Sequence, residues 1–244
     1  MNEIRRIDLH EAIASEEICA ADIDSALVTG YKSFYSKVFK RIIDFILAVL
    51  ITIFVSPFLL IVSLAILIED GRPVLYRAER GGYHGKTFRI CKFRSMIKNA
   101  DKVGGGTTAF HDNRITKVGS VLRKTKIDEF PNLFNILIGE MSFIGPRPEL
   151  LQYTNKYAGT EKLILEVRPG ITDYSSIEFI NLDEIVGSGD ADNMYEKYVL
   201  PKKNKLRVEY AATVSFTTDI RLFALTVWKV FQKGFEFLFR GKHR

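Results

Sequence analysis

The sequence predicts an α+β, helix-rich fold in a monotopic membrane protein, one that enters the membrane without crossing it. Three observations lead to this prediction: an uncharged apolar run over Phe45–Ile68, weak strand patterns after it, and an amphipathic helical stripe that begins at Phe216. They divide the chain into an N-terminal extension (1–36), a re-entrant helix-break-helix anchor (37–70), a folded domain (71–215) and a C-terminal amphipathic interfacial helix (216–244).

The apolar run is long enough to enter a membrane. It holds 24 residues without a charge, and about 20 suffice to cross the hydrocarbon core. Ser56-Pro57 lies at its middle, and because proline removes a backbone donor and clashes with the preceding turn, a break is predicted there. Each half then reaches only ~18 Å of the ~30 Å core. A sharply bent hairpin would enter and leave by one face, whereas a kinked helix would still span.

Basic residues flank both sides of the apolar run. They are Lys32, Lys37, Lys40 and Arg41 before it, and Arg72, Arg77, Arg80, Lys86, Arg89 and Lys92 after it. Since cytoplasmic flanks collect Lys and Arg, a spanning helix would place one cluster on the wrong side. The re-entrant hairpin is therefore the favoured interpretation, with a kinked single span as the alternative. Residues 1–36 are polar and show no signal peptide, so we expect an uncleaved anchor.

The charge balance favours an anionic partner. Lys and Arg number 35 against 29 Asp and Glu, which gives a net charge of +6. Anionic membrane lipid and a phosphorylated substrate both fit this charge. No nucleic-acid-binding motif is visible, so no nucleic acid is expected as a partner. The two cysteines are unpatterned and the four histidines lack ligand spacing, which argues against a disulfide or zinc framework.

The folded domain is predicted to begin with short strands and to continue with helices. The strands are expected over Val74–Arg77 and Thr87–Phe93, and the helices over Ile115–Lys124 and Asp128–Leu137. The second helix should end at Gly139, because glycine favours a helix C-terminus. Gly104–Thr108 is too irregular for a phosphate-binding loop, which leaves it as a mobile linker.

Apolar and aromatic residues recur at helical spacing near the end of the chain. The set comprises Phe216, Ile220, Phe223, Val227, Trp228 and Phe231, with Lys229, Lys233, Arg240 and Lys242 around it. This pattern predicts an amphipathic helix that lies on a membrane surface. Ordinary core packing is the alternative.

Two adjacent carboxylates, Asp128 and Glu129, lie in a stretch dense with Arg and Lys. A structural explanation is available, because Thr125-x-x-Asp128 matches a capping box and acidic residues favour a helix N-terminus. Capping alone, however, needs no cations nearby.

The basic residues near the dyad predict a site for a diphosphate. Lys92, Arg94 and Arg123 are candidates, and Arg147 and Arg168 lie in Pro-Arg-Pro and Arg-Pro-Gly turns. Proline stiffens these turns, and the planar guanidinium fork matches phosphate oxygens. A carboxylate cannot approach a phosphate anion unless charge is neutralised. We therefore expect Mg²⁺ (or Mn²⁺) held by the dyad.

The motifs resemble those of a known family. The stretch DNRITKVGSVLRKTKIDEFPNLFNILIGEMSFIGPRPE, with KRIIDFILA and SPF before it and VRPGIT after it, is similar to the bacterial sugar transferases over about Lys37 to Phe231. This resemblance implies a monotopic phosphoglycosyl transferase at the cytoplasmic face of the bacterial inner membrane, which begins capsule, exopolysaccharide or O-antigen (lipopolysaccharide) assembly. Such enzymes transfer sugar-1-phosphate from a nucleoside-diphosphate sugar, here expected to be a UDP-sugar, to undecaprenyl phosphate and release UMP.

The resemblance also implies roles for residues of this chain. Asp128 matches the nucleophile that forms a covalent phospho-sugar intermediate, Glu129 matches its dyad partner, and magnesium is expected beside Asp128. The remaining matches are Arg123, Arg147 and Arg168 at phosphate-site positions and Ser56-Pro57 at the helix break. A two-step covalent transfer, with metal and arginines stabilising charged oxygens, is chemically coherent.

One segment departs from the family pattern. Many members continue RPGIT with Gly-Trp-Ala-Gln-Val, whereas this chain has DYSSIE over residues 173–178 and then a longer acidic insert through Asp192. We expect residues 173–178 to influence donor preference. Two other classes stay open: an ordinary glycosyltransferase that uses Asp190-Ala191-Asp192, and a non-enzymatic membrane scaffold whose dyad caps a helix.

Overall fold

The computed structural model describes residues 29–100, 112–180 and 191–240. Helices dominate this part of the chain, which confirms the predicted helix-rich α+β class. In chain order the helices are α1 (Lys40–Asp70), α2 (Lys117–Thr125), α3 (Asn132–Ile138), α4 (Leu151–Thr154), α5 (Tyr174–Glu178), α6 (Ala191–Met194), α7 (Leu200–Thr213) and α8 (Phe216–Arg240). The strands are β1 (Leu75–Gly81), β2 (Thr87–Phe93), β3 (Ser142–Ile144) and β4 (Gly170–Thr172). The predicted linker Gly104–Thr108 and Asp190 lie outside the described residues.

Helix α1 runs through the segment that was predicted to be broken. The helix is uninterrupted from Lys40 to Asp70, with Pro57 inside it. The predicted break at Ser56-Pro57 therefore does not divide the segment into two helices. The Ser56 hydroxyl donates to the Ile53 carbonyl at 3.0 Å, which is the carbonyl that the missing amide of residue 57 would have bonded. The side chain of Ser56 thus compensates for the proline.

The β1–β2 hairpin confirms the two predicted strands. The strands pair antiparallel, from Leu75 opposite Phe93 to Gly81 opposite Thr87. Helix α3 lies along the outer edge of β2, where the Asn135 side chain accepts from the Cys91 amide at 2.9 Å and donates to the Arg89 carbonyl at 2.8 Å. A side-chain amide therefore satisfies the free edge of the sheet.

A hydrophobic cluster holds the hairpin, α1 and α3 together. Its buried members are Ala48, Phe88, Ile90, Leu133, Ile136 and Met141. Helix α3 ends at Gly139 as predicted, with a φ of 89° that favours glycine. This packing fixes the start of α3, and with it the dyad, beside β2.

Strands β3 and β4 pair in parallel, with Ser142 opposite Gly170. The backbones then approach so closely that a Cβ on Gly170 would lie 2.2 Å from the Gly145 nitrogen. Only glycine fits where the two backbones approach this closely. This close approach sets the position of the Pro146-Arg147-Pro148 turn, which directly follows Gly145.

The C-terminal pattern does form a helix. In α8, Phe216, Ile220 and Phe223 are more than half exposed, whereas Thr218 and Leu222 are buried. One face thus packs on the domain and leaves an apolar face uncovered. Near its start, Asp219 binds the Lys40 ammonium at 2.5 Å, which joins α8 to the beginning of α1.

Candidate active site

The dyad lies on a single 3₁₀ turn, Ile127–Glu129, between α2 and α3. Lys126 ends α2 in the left-handed conformation, with a φ of 60°, and turns the chain so that both carboxylates are directed inward. Asp128 and Glu129 are each only 8% exposed. The Thr125 hydroxyl donates back to the Val121 carbonyl at 2.8 Å. The capping-box explanation of the dyad is therefore wrong.

Glu129 is held by two cations. Arg147 contacts it with both terminal nitrogens, Nη1 at 2.9 Å from Oε2 and Nη2 on Oε1, and the Lys92 ammonium lies 3.2 Å from Oε1. Burial alone would raise the pKa of Glu129, but the charges of Arg147 and Lys92 outweigh it and hold that pKa well below its usual range. Glu129 is therefore charged at neutral pH, and both of its oxygens are bound by cations.

Asp128 is in the opposite situation. Its Oδ1 is buried and has no hydrogen-bond partner within the described part of the chain. Burial first, and the charge of Glu129 second, raise the pKa of Asp128, while Lys92, Lys126 and Arg123 act in the other direction. A buried carboxylate oxygen that lacks a hydrogen-bond partner is costly for the fold. That is the expected property of a group kept available for a ligand or for chemistry.

The side chains at the dyad could supply only some of the ligands that a magnesium ion needs. The described residues contain no cluster of three or more His, Cys, Asp or Glu that could hold a metal. Mg²⁺, however, commonly binds through one or two carboxylates, with substrate phosphates and water as its other ligands. The unpartnered Oδ1 of Asp128 is suited to that role, whereas the oxygens of Glu129 are occupied by cations.

The structure brings some predicted site residues together and separates others. Lys92, Glu129 and Arg147 are joined by ion pairs, and Arg123 acts on Asp128 through its charge. Arg94 instead binds the C-terminal end of α1: its Nη2 donates to the Asp70 carbonyl at 2.9 Å. Arg94, which directly follows β2, is thus engaged by the anchor helix, and its predicted role as a substrate ligand stays a prediction.

Arg168 also has partners away from the dyad. Its Nε donates to the Gly139 carbonyl at 3.1 Å, and its guanidinium lies 4.8 Å from the centre of the Tyr83 ring. A cation is favourable at the C-terminal end of a helix, here α3. In this conformation Arg168 joins the end of α3 to the hairpin tip, and its predicted phosphate contact stays a prediction.

Asp173 does not have the position that we expected for a donor contact. It is fully buried. Its carboxylate accepts from the Arg147 amide at 3.2 Å, from the Ser176 amide at 2.7 Å and from the Ser175 hydroxyl at 2.9 Å. Asp173 therefore caps α5 and holds the backbone of the arginine that binds Glu129.

A buried ion pair next to the Pro146-Arg147-Pro148 turn was not predicted from the sequence. Arg207 of α7 is fully buried and lies 2.7 Å from Glu149 and 3.8 Å from Asp173. Helix α7 reads as a polar, charged segment, so nothing in its sequence signals a core arginine. Arg207 thus contacts Glu149, which directly follows the Pro-Arg-Pro turn, and Asp173, which bonds the Arg147 amide.

We expect Asp173→Ala to lower both stability and activity. The change removes the cap of α5 and the support of the Arg147 amide, so unfolding should become easier by about 1–2 kcal/mol. Chemical denaturation of the purified protein measures this change. Lys205→Ala, at an exposed position of α7, is the control and should behave like wild type. Equal stability and turnover in both variants would show that Asp173 has no positioning role.

The fold and site together define a class of protein. A long apolar helix is attached to a small α+β domain that presents a buried carboxylate pair amid Lys and Arg, as expected for a membrane-associated protein that handles phosphate. The chain belongs to the bacterial sugar transferase family, whose model matches residues 35–233. This match confirms the resemblance seen in the sequence.

Two curated relatives are named as glucose-1-phosphate transferases that use UDP-glucose and undecaprenyl phosphate. The chain is 37% identical over 201 residues to a UDP-glucose:undecaprenyl-phosphate glucose-1-phosphate transferase of Klebsiella pneumoniae, covering 80% of this chain and 41% of that protein. It is 36% identical over 200 residues to the enzyme of the same name in Escherichia coli, with 41% of that protein covered. The chain thus spans about two fifths of the length of these relatives.

A shorter relative is covered almost completely. The uncharacterized sugar transferase EpsL of Bacillus subtilis is 33% identical over 193 residues, which cover 79% of this chain and 87% of that protein. The family region of this chain therefore corresponds to nearly the whole of a smaller family member.

Proposed function

We propose that this chain transfers a sugar-1-phosphate from a nucleoside-diphosphate sugar, a UDP-sugar, to undecaprenyl phosphate and releases UMP. The observation that carries the proposal is the asymmetric dyad: Asp128 is buried with an unpartnered oxygen, beside a Glu129 that Lys92 and Arg147 neutralise. The names of the relatives support the same class of reaction. The product, an undecaprenyl-diphosphate sugar, would begin a polysaccharide or glycoconjugate.

In this proposal Asp128 acts as the nucleophile. One of its oxygens attacks the phosphorus that carries the sugar, the bridging P–O bond breaks, and UMP leaves with the bond electrons. An oxygen of undecaprenyl phosphate then attacks the same phosphorus and releases Asp128 unchanged. Covalent catalysis of this kind divides one difficult displacement into two easier ones. The burial that raises the pKa of Asp128 also makes its ionised form a better nucleophile.

The residues around Glu129 support the attack electrostatically. Arg147 and Lys92 each lie within ion-pair distance of Glu129, which fixes two cations beside Asp128. Fixed charges of this kind stabilise developing oxyanions without reorganisation. Arg123, on the last turn of α2, extends the positive field that Asp128 experiences, so a diphosphate is attracted to the dyad.

Asp128 would also hold the divalent cation. When bound there together with the diphosphate, Mg²⁺ would neutralise phosphate charge and so lower its repulsion of the carboxylate. Asp128 contributes the oxygen that lacks another partner, while Glu129 keeps its two cations in place.

The contacts of α1 support a re-entrant placement at the cytoplasmic face of the inner membrane. By length and composition the segment Tyr35–Asp70 could cross a membrane. Yet Arg41, at its start, donates to the Ile136 and Leu137 carbonyls at 2.5 and 2.8 Å, while Asp70, at its end, binds Arg94. Both ends therefore contact one folded domain. A helix that spans ~30 Å of hydrocarbon would have its ends on opposite sides.

The exposed surfaces fit the same placement. Phe54 in the middle of α1 is 82% exposed, and α8 presents Phe223, Trp228 and Phe231 near Arg221 and Lys229. An amphipathic helix with basic residues binds anionic lipid through its apolar face. We propose that α8 lies on the membrane surface beside α1.

We expect both flanks of α1 to be labelled from the cytoplasmic side. Single cysteines at the exposed positions Lys32 and Lys98, in a background without Cys19 and Cys91, report this with a membrane-impermeant thiol reagent on intact spheroplasts and on inverted vesicles. Labelling of the two positions from opposite sides would mean a spanning helix. Pro57→Ala should leave the labelling pattern unchanged, because α1 is already continuous through Pro57 and the Ser56 hydroxyl bonds the Ile53 carbonyl.

A screen of donors tests the proposed reaction. Purified protein in detergent is given undecaprenyl phosphate, Mg²⁺ and one nucleotide sugar at a time, and release of the nucleoside monophosphate is measured. We expect release with at least one UDP-sugar and none without the lipid phosphate beyond a single turnover. Release of a nucleoside diphosphate instead would indicate an ordinary glycosyltransferase.

A further inference from the structure

A groove of about 440 Å³ lies between the β1–β2 hairpin and α3, outside the dyad. Its walls include Leu75, Arg77, Arg89 and Cys91 of the hairpin and Phe134 and Ile138 of α3. This volume falls within the ~300–1,000 Å³ of ordinary small-molecule sites. The groove is mainly apolar, with two arginines.

The groove follows from the way α3 joins the sheet. Asn135 bonds the edge of β2 at Cys91 and Arg89, which places α3 beside the sheet rather than across it. Phe134 and Ile138 then extend past the sheet and form a wall, and they remain 45% and 69% exposed. Together they form an apolar surface beside the sheet, and contiguous apolar surface of this kind is typical of a membrane or ligand contact.

The groove opens on the face of the hairpin opposite the dyad. Side chains alternate along a strand, so Lys92, which reaches Glu129 at 3.2 Å, points away from Cys91 and Arg89. A phosphate bound by Arg77 or Arg89 would therefore not be in position for attack by Asp128. The groove is thus separate from the proposed reaction site.

The apolar lining continues into the membrane helix. Leu75 packs in one cluster with Leu59, Val62 and Ile66 of α1. An alkyl chain that enters the groove would pass directly from the surface of the anchor. This continuity favours a membrane lipid over a soluble ligand.

The charges favour a lipid with a phosphate. Arg77 is exposed. Arg89 has a side chain that is 70% exposed, and within the described residues its ion-pair partner is Glu79 at 3.4 Å, a contact worth little at a surface. Glu140 also lines the groove, and the Asn135 amide donates to it at 2.7 Å. Arginine is well suited to bind a lipid phosphate at a membrane interface.

We propose that this groove binds one anionic phospholipid of the bilayer, with an acyl chain against Phe134 and Ile138 and its phosphate at Arg77 and Arg89. The inference rests on the proposed membrane placement of α1 but not on the transferase chemistry. The bound lipid would fix the hairpin and α3 at the membrane surface.

Native mass spectrometry of the full chain in detergent, titrated with phosphatidylglycerol or phosphatidylcholine, tests this site. We expect one phosphatidylglycerol to bind tightly, and the double variant Arg77→Gln/Arg89→Gln to bind it about thirtyfold more weakly. Ile138→Asp should also lose it. The control Arg72→Gln/Lys98→Gln removes two exposed cations that do not line the groove and should bind like wild type.

Equal binding of both lipids, or wild-type affinity in the Arg77/Arg89 variant, would overturn the proposal. A dimer whose formation Ile138→Asp abolishes would show that a second copy covers the groove, which also overturns it. Flotation with liposomes is measured in parallel. If the wild type floats but binds no discrete lipid, only this inference fails; if it does not float, the membrane placement itself is wrong.

Discussion

Asp128→Asn is expected to lower turnover by roughly three orders of magnitude or more, because the amide keeps the shape of the side chain but loses the attacking oxygen. The protein should stay folded. Burial and Glu129 raise the pKa of Asp128, which means that the fold disfavours its charge; at neutral pH the neutral amide removes that penalty. The free energy of unfolding should therefore be unchanged or higher.

Steady-state release of nucleoside monophosphate and chemical denaturation, measured on one preparation, check both parts of this prediction. Thr125→Ala, three residues earlier on the exposed end of α2, is the control and should keep nearly full activity. Wild-type turnover in Asp128→Asn would remove Asp128 from the chemistry. A large loss of stability would show that its carboxylate is structural.

Glu129→Gln and Arg147→Gln are each expected to reduce kcat by about 10²–10³-fold, and the double variant by hardly more than either alone. The reason is that the two side chains act as one unit, through a two-point ion pair, and residues in one network are not additive. Glutamine cannot hold both Arg147 and Lys92 by charge, so the cations beside Asp128 lose their fixed positions.

Single-turnover rates of the wild type, the two single variants and the double variant give the coupling free energy between Glu129 and Arg147. Lys162→Gln, which removes an exposed charge from the domain surface, is the control. Arg147→Lys should not restore the activity, because an ammonium cannot reproduce the guanidinium fork. Two independent, additive losses would contradict a shared role for Glu129 and Arg147.

The sequence predicted most of the secondary structure near the site, because those signals are local. Helix α3 ends at Gly139 as expected, and the two predicted strands correspond to β1 and β2. The prediction that Ser56-Pro57 divides the helix was wrong, because the Ser56 hydroxyl bonds the Ile53 carbonyl and the helix continues. A single side-chain hydrogen bond of this kind cannot be recognised in the hydrophobic pattern of the sequence.

The site was predictable in composition but not in geometry. Lys92, Glu129 and Arg147 come together because β2 pairs with β1 and α3, and because β3 pairs with β4. These contacts join residues that are far apart in the sequence. Asp173, which accepts from the Arg147 amide, lies in the segment that was expected to influence donor preference. Burial, and not residue type, decides that it is structural.

The covalent step is the central claim, and rapid mixing of the enzyme with donor alone tests it most directly. Without undecaprenyl phosphate, active wild-type enzyme should release about one nucleoside monophosphate per active site and then stop. Intact-protein mass spectrometry should find the sugar-phosphate retained, with the adduct on Asp128 after proteolysis. No release until the lipid phosphate is added, on enzyme shown to be active, would contradict the account and indicate a direct single displacement.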